Sequence, residues 1–187
     1  MIHNKNITAQ RKRKDNEIDR MASDRYLRIW PNAKKSDLNT DRFDHIDFWH
    51  TKDGETFGVD IKGNKLPSEL WIEFKNVNGD AGWMYGKAKW IAFEIPDLGG
   101  FAIVLREELK DWAEENVDTS EVVTQKWKAY KRVYSRSNWK AHDGRPQRDR
   151  ISMITVHDLR EVPSYRMVKY STSYKHPVNK TTLSLED

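Results

Sequence analysis

Apolar and polar residues alternate with a period of two in three central segments, at residues 43–49, 56–62 and 70–76. Such alternation is typical of strands that bury one face. The first two segments are separated by the pair Asp53-Gly54, which is a strong signal for a tight hairpin turn. The pattern therefore predicts three consecutive strands that pair as an antiparallel meander.

Apolar residues also recur at helical spacing outside this central region. Ile18, Ala22 and Tyr26 follow one another at four-residue intervals, which predicts an amphipathic helix over residues 15–29 that ends before Pro31. Two further helices are predicted, over residues 107–116 and 121–134.

Three more apolar runs predict strands, and a glycine-rich stretch predicts a loop between two of the strands. The strands are expected at residues 90–95, 101–105 and 151–156, and the loop at residues 79–86. Strands and helices that follow one another in this order predict an α/β fold, with a mixed sheet flanked by helices.

The chain of 187 residues suits one compact domain with an elaboration at its C-terminal end. We predict a basic flexible arm over residues 1–14 and a core over residues 15–118. Residues 119–187 are expected to form a basic, aromatic extension that packs on the core.

Composition excludes several classes of protein. There is no cysteine, which rules out disulfides, a cysteine nucleophile and a thiolate zinc site. No apolar run approaches the roughly 20 residues that cross a bilayer, and residues 1–14 lack the apolar stretch of a secretory signal. We therefore expect a soluble, cytoplasmic protein without a membrane partner.

The formal net charge of +4 conceals a strong segregation of charge along the chain. Residues 1–35 carry +6, residues 36–118 carry −9, residues 119–150 carry +6 and residues 151–187 carry +1. One interpretation is a charged surface that only maintains solubility. The other is that the basic flanks bind a polyanion while central carboxylates hold cations.

The second basic block intersperses cations with aromatic residues, as surfaces that contact phosphates and stack on bases do. Its cations are Lys126, Lys128, Lys131, Arg132, Arg136 and Lys140, and its aromatic residues are Trp127, Tyr130, Tyr134 and Trp139. Lys87, in the glycine-rich loop, is a further candidate for contact with nucleic acid. The same aromatic residues at helical spacing are also consistent with a buried core.

Carboxylates and a lysine occur at related positions of two predicted strands. Asp60 lies opposite the apolar face of the second strand, and Glu73 and Lys75 share one face of the third. If these strands pair, two carboxylates and one ammonium come together. Mg²⁺ binds one or two carboxylates together with water and substrate phosphate, so the patch suits phosphodiester chemistry.

These residues resemble the motif of the PD-(D/E)XK nuclease superfamily, which has a restriction-endonuclease-like fold. Val59-Asp60 stands where the family has Pro-Asp, and Glu73-Phe74-Lys75 forms the (D/E)-X-K element 13 residues after Asp60. The resemblance covers residues 15–116 and departs from the family pattern at Val59.

The resemblance implies a Mg²⁺-dependent nuclease that acts on DNA, with Mn²⁺ able to substitute. Asp60, Glu73 and the backbone carbonyl of Phe74 would coordinate the metal, and Lys75 would act on the water. The family often has a further acid on its first helix, for which Glu17 is the best match and Asp24 the reserve. A homodimer would allow both strands of a duplex to be cut, and a phage or other mobile element fits the small size.

Other interpretations remain open at this point. Asp60, Glu73 and Lys75 could form a solvent-facing salt-bridge patch, and the chain could be a catalytically inactive nuclease-fold module that binds nucleic acid or protein. His45 and Asp47 share one strand face and could bind a metal or simply form hydrogen bonds. Trp83 and Tyr85 could border a substrate cleft or pack the loop onto the core.

Overall fold

The computed structural model describes residues 17–64, 66–135, 144 and 146–170. Arg136, Lys140, Trp139, the predicted arm at residues 1–14 and residues 171–187 lie outside this part of the chain. The helices are α1 (residues 17–29), α2 (Arg106–Asn116) and α3 (Val156–Leu159). The strands are β1 (Lys34–Lys35), β2 (Phe48–Lys52), β3 (Glu55–Lys62), β4 (Leu70–Lys75), β5 (Trp90–Ile95), β6 (Gly100–Leu105), β7 (Asp118–Val123), β8 (Arg132–Tyr134), β9 (Arg150–Ile154) and β10 (Arg166–Lys169).

The strands form two mixed sheets. The larger has the order β1-β2-β3-β5-β6-β10, in which β3 and β5 are parallel and the other neighbours are antiparallel. The smaller has the order β4-β9-β8-β7, and its β7 and β8 are parallel. Mixed sheets accompanied by helices confirm the predicted α/β class.

Alternation along β3 and β5 divides the apolar residues between the two faces of the larger sheet. Val59 and Ile61 pack with Ala22 and Tyr26 of α1 on one face. The other face contributes to a larger core with strands β4, β8 and β9 and helix α2. No helix in the described ranges combines the length and apolar character that crossing a membrane requires.

The predicted hairpin between the first two central strands is confirmed. β2 and β3 pair from Phe48 opposite Val59 to Lys52 opposite Glu55. The two turn residues, Asp53 and Gly54, both have positive φ angles, of 53° and 83°. This is the geometry of a type I′ turn, whose twist matches that of the flanking strands.

The predicted meander is wrong at its third strand. β3 pairs with β2 on one side and with β5 on the other, so neither of its edges is open to β4. β4 instead pairs with β9 in the second sheet, where its residues Leu70 and Ile72 are fully buried. Alternation alone indicates which side chains share a face, but it does not indicate the neighbouring strand.

The helix predicted over residues 121–134 is also wrong, because this segment forms β7, a single 3₁₀ turn and β8. The β-branched pair Val122 and Val123 favours extended structure, and Lys131 has a φ of 49°, which a right-handed helix excludes. A π-helical turn at residues 40–44 overlaps the start of the strand predicted over residues 43–49, and the strand begins only at Phe48.

The other predicted elements are confirmed within the described ranges. They are the first helix over residues 17–29, the loop before β5, the strands β5, β6 and β9, and the helix α2. Strands on the two sides of the predicted boundary at residue 118 pair with each other. β4 joins three strands from beyond residue 117, and β10 pairs with β6.

Candidate functional site

The end of the β2–β3 hairpin brings the side chains of Asp47 and Asp60 near each other. Asp47, which directly precedes β2, donates its backbone N–H to the carbonyl of Val59, and its Oδ2 accepts the N–H of Ile61 at 2.6 Å. The side chain thus replaces a backbone partner where the strand pairing stops. Asp60, between these two residues on β3, lies close enough for its charge to act on the carboxyl group of Asp47.

A lysine side chain forms an ion pair with Asp60. Nζ of Lys62 lies 2.8 Å from Oδ2 of Asp60, and the side chains of Lys62 and Asp60 are only 25% and 5% exposed. The same ammonium lies 4.7 Å from the ring centre of Trp83, so an aromatic face shields it on another side. Asp60 and Lys62 project from the same face of β3, toward the second sheet.

The second sheet contributes Glu73 from β4. Its charge acts on Lys62, and its Oε2 lies 3.4 Å from the backbone nitrogen of Trp83. This arrangement depends on Gly82, because a Cβ there would lie 2.2 Å from the carbonyl oxygen of Glu73. The absence of a side chain at Gly82 therefore allows the loop to approach β4 and to position Trp83 over the lysine.

The pKa values of both aspartates are raised. Burial, together with the charge of Asp60, raises the pKa of Asp47 to about 6. Burial also raises the pKa of Asp60, despite the opposing effect of Lys62. The charge of Lys62 offsets only part of the burial and of the repulsion from Asp60, so Asp47 takes up a proton more readily than an exposed aspartate does.

Lys62 keeps its positive charge at neutral pH. Burial alone would lower its pKa, but the charges of Asp60, Asp47 and Glu73 outweigh that effect and raise it above the usual value. Asp41, on the preceding turn, has a pKa raised by burial and then by Asp47. The ammonium thus lies in a predominantly acidic environment, which favours the approach of further cations.

The site could offer two carboxylate ligands to a hard divalent cation. Within the described ranges, no group of three or more carboxylate and histidine side chains is arranged as a metal site. Asp47 and Asp60 form a pair, and Mg²⁺ typically uses one or two carboxylates while keeping several waters. Oδ2 of Asp60 is buried without a well-formed hydrogen bond, although Lys62 lies beside it, so this oxygen retains capacity for a cation.

Of the three residues of the predicted motif, the structure brings Asp60 and Glu73 to the same lysine, Lys62, and leaves Lys75 apart. Asp60 and Glu73 both act on Lys62, but they belong to different sheets. Lys75 is exposed and lines a separate groove with Tyr85 of the loop before β5 and with residues of the second sheet. The carbonyl of Phe74 accepts the N–H of Gly82 at 3.0 Å.

Neither predicted acid of the first helix has a described contact with these carboxylates. Glu17 is exposed, and Asp24 lies 3.8 Å from Arg20 on the exposed side of α1. Asp19 is the helix acid that lies beside the end of β3, since its Oδ1 would be 2.9 Å from a Cβ at Gly63.

Several of the predicted nucleic-acid contacts are ion-paired within the protein. Nζ of Lys87 lies 2.9 Å from Asp44, that of Lys126 lies 2.7 Å from Glu69, and that of Lys131 lies 2.9 Å from Asp158. The other candidates in the described ranges are Lys128, whose ammonium lies over the exposed ring of Trp127, and the exposed Arg132.

Sequence reasoning missed Lys62 altogether and considered Asp47 only as a partner of His45. The sequence contains the 13-residue spacing between an acid and an acid-x-Lys element twice, and the earlier occurrence points to Asp47 and Lys62. Asp47 precedes Asp60-Ile61-Lys62 by 13 residues, just as Asp60 precedes Glu73-Phe74-Lys75. The confirmed hairpin turn favours the set of Asp47 with Asp60-Ile61-Lys62. A hairpin places the residue before its first strand beside the end of its second strand.

Comparison of the chain with protein families, with curated proteins and with solved structures finds no match.

Proposed function

We propose that the protein is a Mg²⁺-dependent nuclease that hydrolyses phosphodiester bonds in DNA. The observation that carries the proposal is the 2.8 Å ion pair between Nζ of Lys62 and the buried carboxylate of Asp60, with Asp47 near enough for its charge to act on Lys62. In this proposal, Asp47 and Asp60 hold the metal, and Lys62 replaces Lys75 as the lysine of the (D/E)-X-K element. Mn²⁺ would bind to the same oxygen ligands.

Each residue has a distinct part in this chemistry. Mg²⁺ would stabilise the negative charge that develops on the scissile phosphate. Because the pKa of Asp47 is about 6, its carboxylate would be available as a metal ligand at neutral pH. Lys62 is an ammonium at neutral pH, so it acts as a hydrogen-bond donor that orients the water or a phosphate oxygen. Glu73 acts through its charge on Lys62 and is a positioning residue.

The topology around the site supports a restriction-endonuclease-like core. α1 comes first, followed by the antiparallel strands β1, β2 and β3, and the chain then crosses over to β5, which is parallel to β3. The resemblance implies a helix, three strands and a further strand after a helix or loop, and here β4 of the second sheet lies between β3 and β5 in the chain. In this proposal, Asp47 before the second of these strands and Asp60-Ile61-Lys62 at the end of the third would take the motif positions.

The experiment is a cleavage assay on plasmid, linear duplex and single-stranded DNA, with Mg²⁺, Mn²⁺ or EDTA. We expect cleavage that EDTA abolishes and that falls at least about 100-fold in Asp60→Asn and Lys62→Met. Lys75→Ala is the matched control, a lysine two residues after an acid on the neighbouring β4, and it should keep near-normal activity. Circular dichroism and thermal unfolding verify the fold of each variant.

Other results would contradict the proposal in distinct ways. Loss of cleavage in Lys75→Ala but not in Lys62→Met would assign the site to Glu73 and Lys75. Binding of DNA without cleavage of any substrate would favour the inactive nuclease-fold binding module. Absence of both activities would leave the buried aspartates as a structural ion network.

A further inference from the structure

A cleft of about 500 Å³ opens beside the C-terminal end of α1. It lies on the face of the larger sheet opposite to Asp60 and Lys62, because Phe57 and Val59, which line it, alternate with those residues along β3. Its volume falls in the range of small-molecule sites in proteins. Nothing in the proposed nuclease chemistry uses this cleft.

The walls of the cleft are unusually rich in aromatic rings, namely Tyr26, Trp30, His50, Phe57 and Trp90. The rings of His50 and Phe57 are stacked, with centroids 5.5 Å apart and planes 7° apart. Tyr26 is buried and its hydroxyl lies 2.7 Å from Nε2 of His50, which fixes the imidazole. Trp30, Phe57 and Trp90 are only partly buried, so aromatic surface remains accessible to a planar ligand.

Cations lie over the aromatic walls at the rim of this cleft. The guanidinium of Arg166 is 4.9 Å from the ring centre of Trp90, and the ammonium of Lys89 is 5.5 Å from that of Phe57. Lys89 also forms an ion pair with Glu55. In all, three cations line the cleft, Lys52, Lys89 and Arg166, against the two carboxylates Asp53 and Glu55, so the lining carries a net positive charge.

We propose that this cleft binds a nucleobase together with its phosphate, either as a free nucleotide or as an unpaired nucleotide of a DNA strand. A base is a planar ring that stacks on indole, phenyl and guanidinium surfaces, and its phosphate complements the cations at the rim. Because the cleft and the Asp60 carboxylate lie on opposite faces of the sheet, occupation of the cleft does not require the proposed metal chemistry.

The first test uses the unaltered full chain and the probe AMP. In a ¹H–¹⁵N NMR titration, the indole N–H signals of Trp30 and Trp90 should shift saturably, whereas that of Trp127 should stay in place. Trp127 is the matched control because it is 76% exposed and does not line the cleft. Adenosine and inorganic phosphate should each bind at least about tenfold more weakly than AMP, since each lacks one half of the recognised chemistry.

Variants then separate stacking from charge recognition. Trp90→Leu should weaken AMP binding by about tenfold or more, and Trp127→Leu should leave it unchanged. Arg166→Gln should weaken AMP binding while leaving adenosine binding nearly unchanged. Asp60→Asn should bind AMP normally, so a failure of the nuclease proposal and a failure of this one give different results.

The source of the nucleotide is resolved by comparing AMP with an oligothymidylate of eight residues. Tighter binding of AMP indicates a free nucleotide, and tighter binding of the oligonucleotide with the same Trp90→Leu sensitivity indicates a strand. No saturable shift at Trp30 or Trp90 with either probe would overturn the proposal. Nucleotide binding that Asp60→Asn abolishes and Trp90→Leu preserves would also overturn it.

Discussion

The carboxyl groups of Asp47 and Asp60 lie at the end of one hairpin, close enough for the charge of Asp60 to raise the pKa of Asp47. The backbone N–H of Ile61 supports Asp47, and the ammonium of Lys62 supports Asp60. The pKa of Asp47 nevertheless rises to about 6, because burial and the neighbouring charge outweigh these contacts. A site of this kind is destabilising when both groups are ionised and no cation is bound.

The first prediction concerns the pH dependence of stability. The pKa of Asp47 is near 6 in the folded chain and 3.8 as its reference value, so its stabilising effect is complete below about pH 4. That effect is lost as the pH rises through 6. Asp47→Asn keeps a donor toward Asp60 at every pH. We therefore expect this variant to exceed the wild type in unfolding free energy by on the order of 3 kcal/mol above pH 6, and by little near pH 4.

Urea unfolding between pH 4 and pH 8, with and without Mg²⁺, measures this difference. Excess Mg²⁺ should narrow the gap above pH 6, because a cation bound between the carboxylates stabilises only the wild-type pair. A difference between wild type and Asp47→Asn that does not change with pH would show that the two carboxyl groups are not coupled.

The second prediction concerns the partner of Asp60. Lys62→Met leaves a carboxylate that is 5% exposed without its compensating charge, so we expect a loss of about 3 kcal/mol at pH 7. The loss should shrink toward acid pH as Asp60 becomes protonated. The double variant Asp60→Asn/Lys62→Met removes both charges and should recover more than half of the loss. An equally large loss in the double variant would point to packing of Lys62 on Trp83 instead.

The sequence was sufficient for the local structure and insufficient for the pairing of distant strands. The Asp53-Gly54 pair predicts the hairpin because a type I′ turn requires two residues that tolerate positive φ. The alternation in β4 predicts a buried face, but whether that face meets β3 or β9 depends on contacts about 80 residues away in the chain. Competition between β4 and β5 for the edge of β3 is a tertiary effect that no local pattern records.

The same limit explains why only part of the site was found. The sequence indicates Asp60 because it lies opposite the apolar face of its strand and precedes Glu73-Phe74-Lys75 by 13 residues. Lys62 was passed over because the predicted meander placed Glu73 and Lys75 beside Asp60. Once β3 pairs with β5, the nearest lysine is the one on the same strand, two residues further along.

The third prediction compares two glycines with different constraints. Gly82→Ala introduces a Cβ 2.2 Å from a backbone oxygen of β4, so the loop or the strand must move. We expect a loss of about 3 kcal/mol in unfolding free energy. Gly54→Ala meets no atom within 4 Å and suffers only from its φ of 83°, for which about 1 kcal/mol is expected. Equal losses in thermal unfolding would mean that the approach of Gly82 to β4 is not rigid.

The fourth prediction separates adjacent cations of the basic block. Arg132 is exposed, whereas Lys131 lies 2.9 Å from the buried carboxylate of Asp158. Arg132→Ala should reduce the slope of log affinity for DNA against log salt by about one, at unchanged stability. Lys131→Ala should alter the slope less and should lower the unfolding free energy by about 2 kcal/mol, because it leaves Asp158 without its cation. Filter binding at several salt concentrations and thermal unfolding distinguish the two; equal slopes in both variants would contradict a DNA contact at Arg132.

The last prediction concerns a buried network on the α1 side of the larger sheet. Glu94 of β5 is fully buried, and its carboxylate accepts hydrogen bonds from Nε and Nη2 of Arg25 on α1 and from the hydroxyl of Tyr170, which follows β10. Burial, together with the carboxylate, raises the pKa of Tyr170, so the hydroxyl remains a donor at neutral pH. The network therefore connects the helix, the centre of the sheet and the segment after its last strand.

Glu94→Gln keeps the shape of the side chain but leaves a buried guanidinium without its counter-charge, so we expect a loss of about 3–5 kcal/mol in unfolding free energy. Tyr170→Phe removes one charged hydrogen bond and should cost about 2 kcal/mol. Glu114→Gln is the matched control, because Glu114 also accepts a tyrosine hydroxyl, that of Tyr85 at 3.1 Å, but does so at the exposed surface. Its effect should stay within about 0.5 kcal/mol. Chemical unfolding measures the loss for each of the three variants. If Glu114→Gln lost as much unfolding free energy as Glu94→Gln, burial would not control the strength of this network.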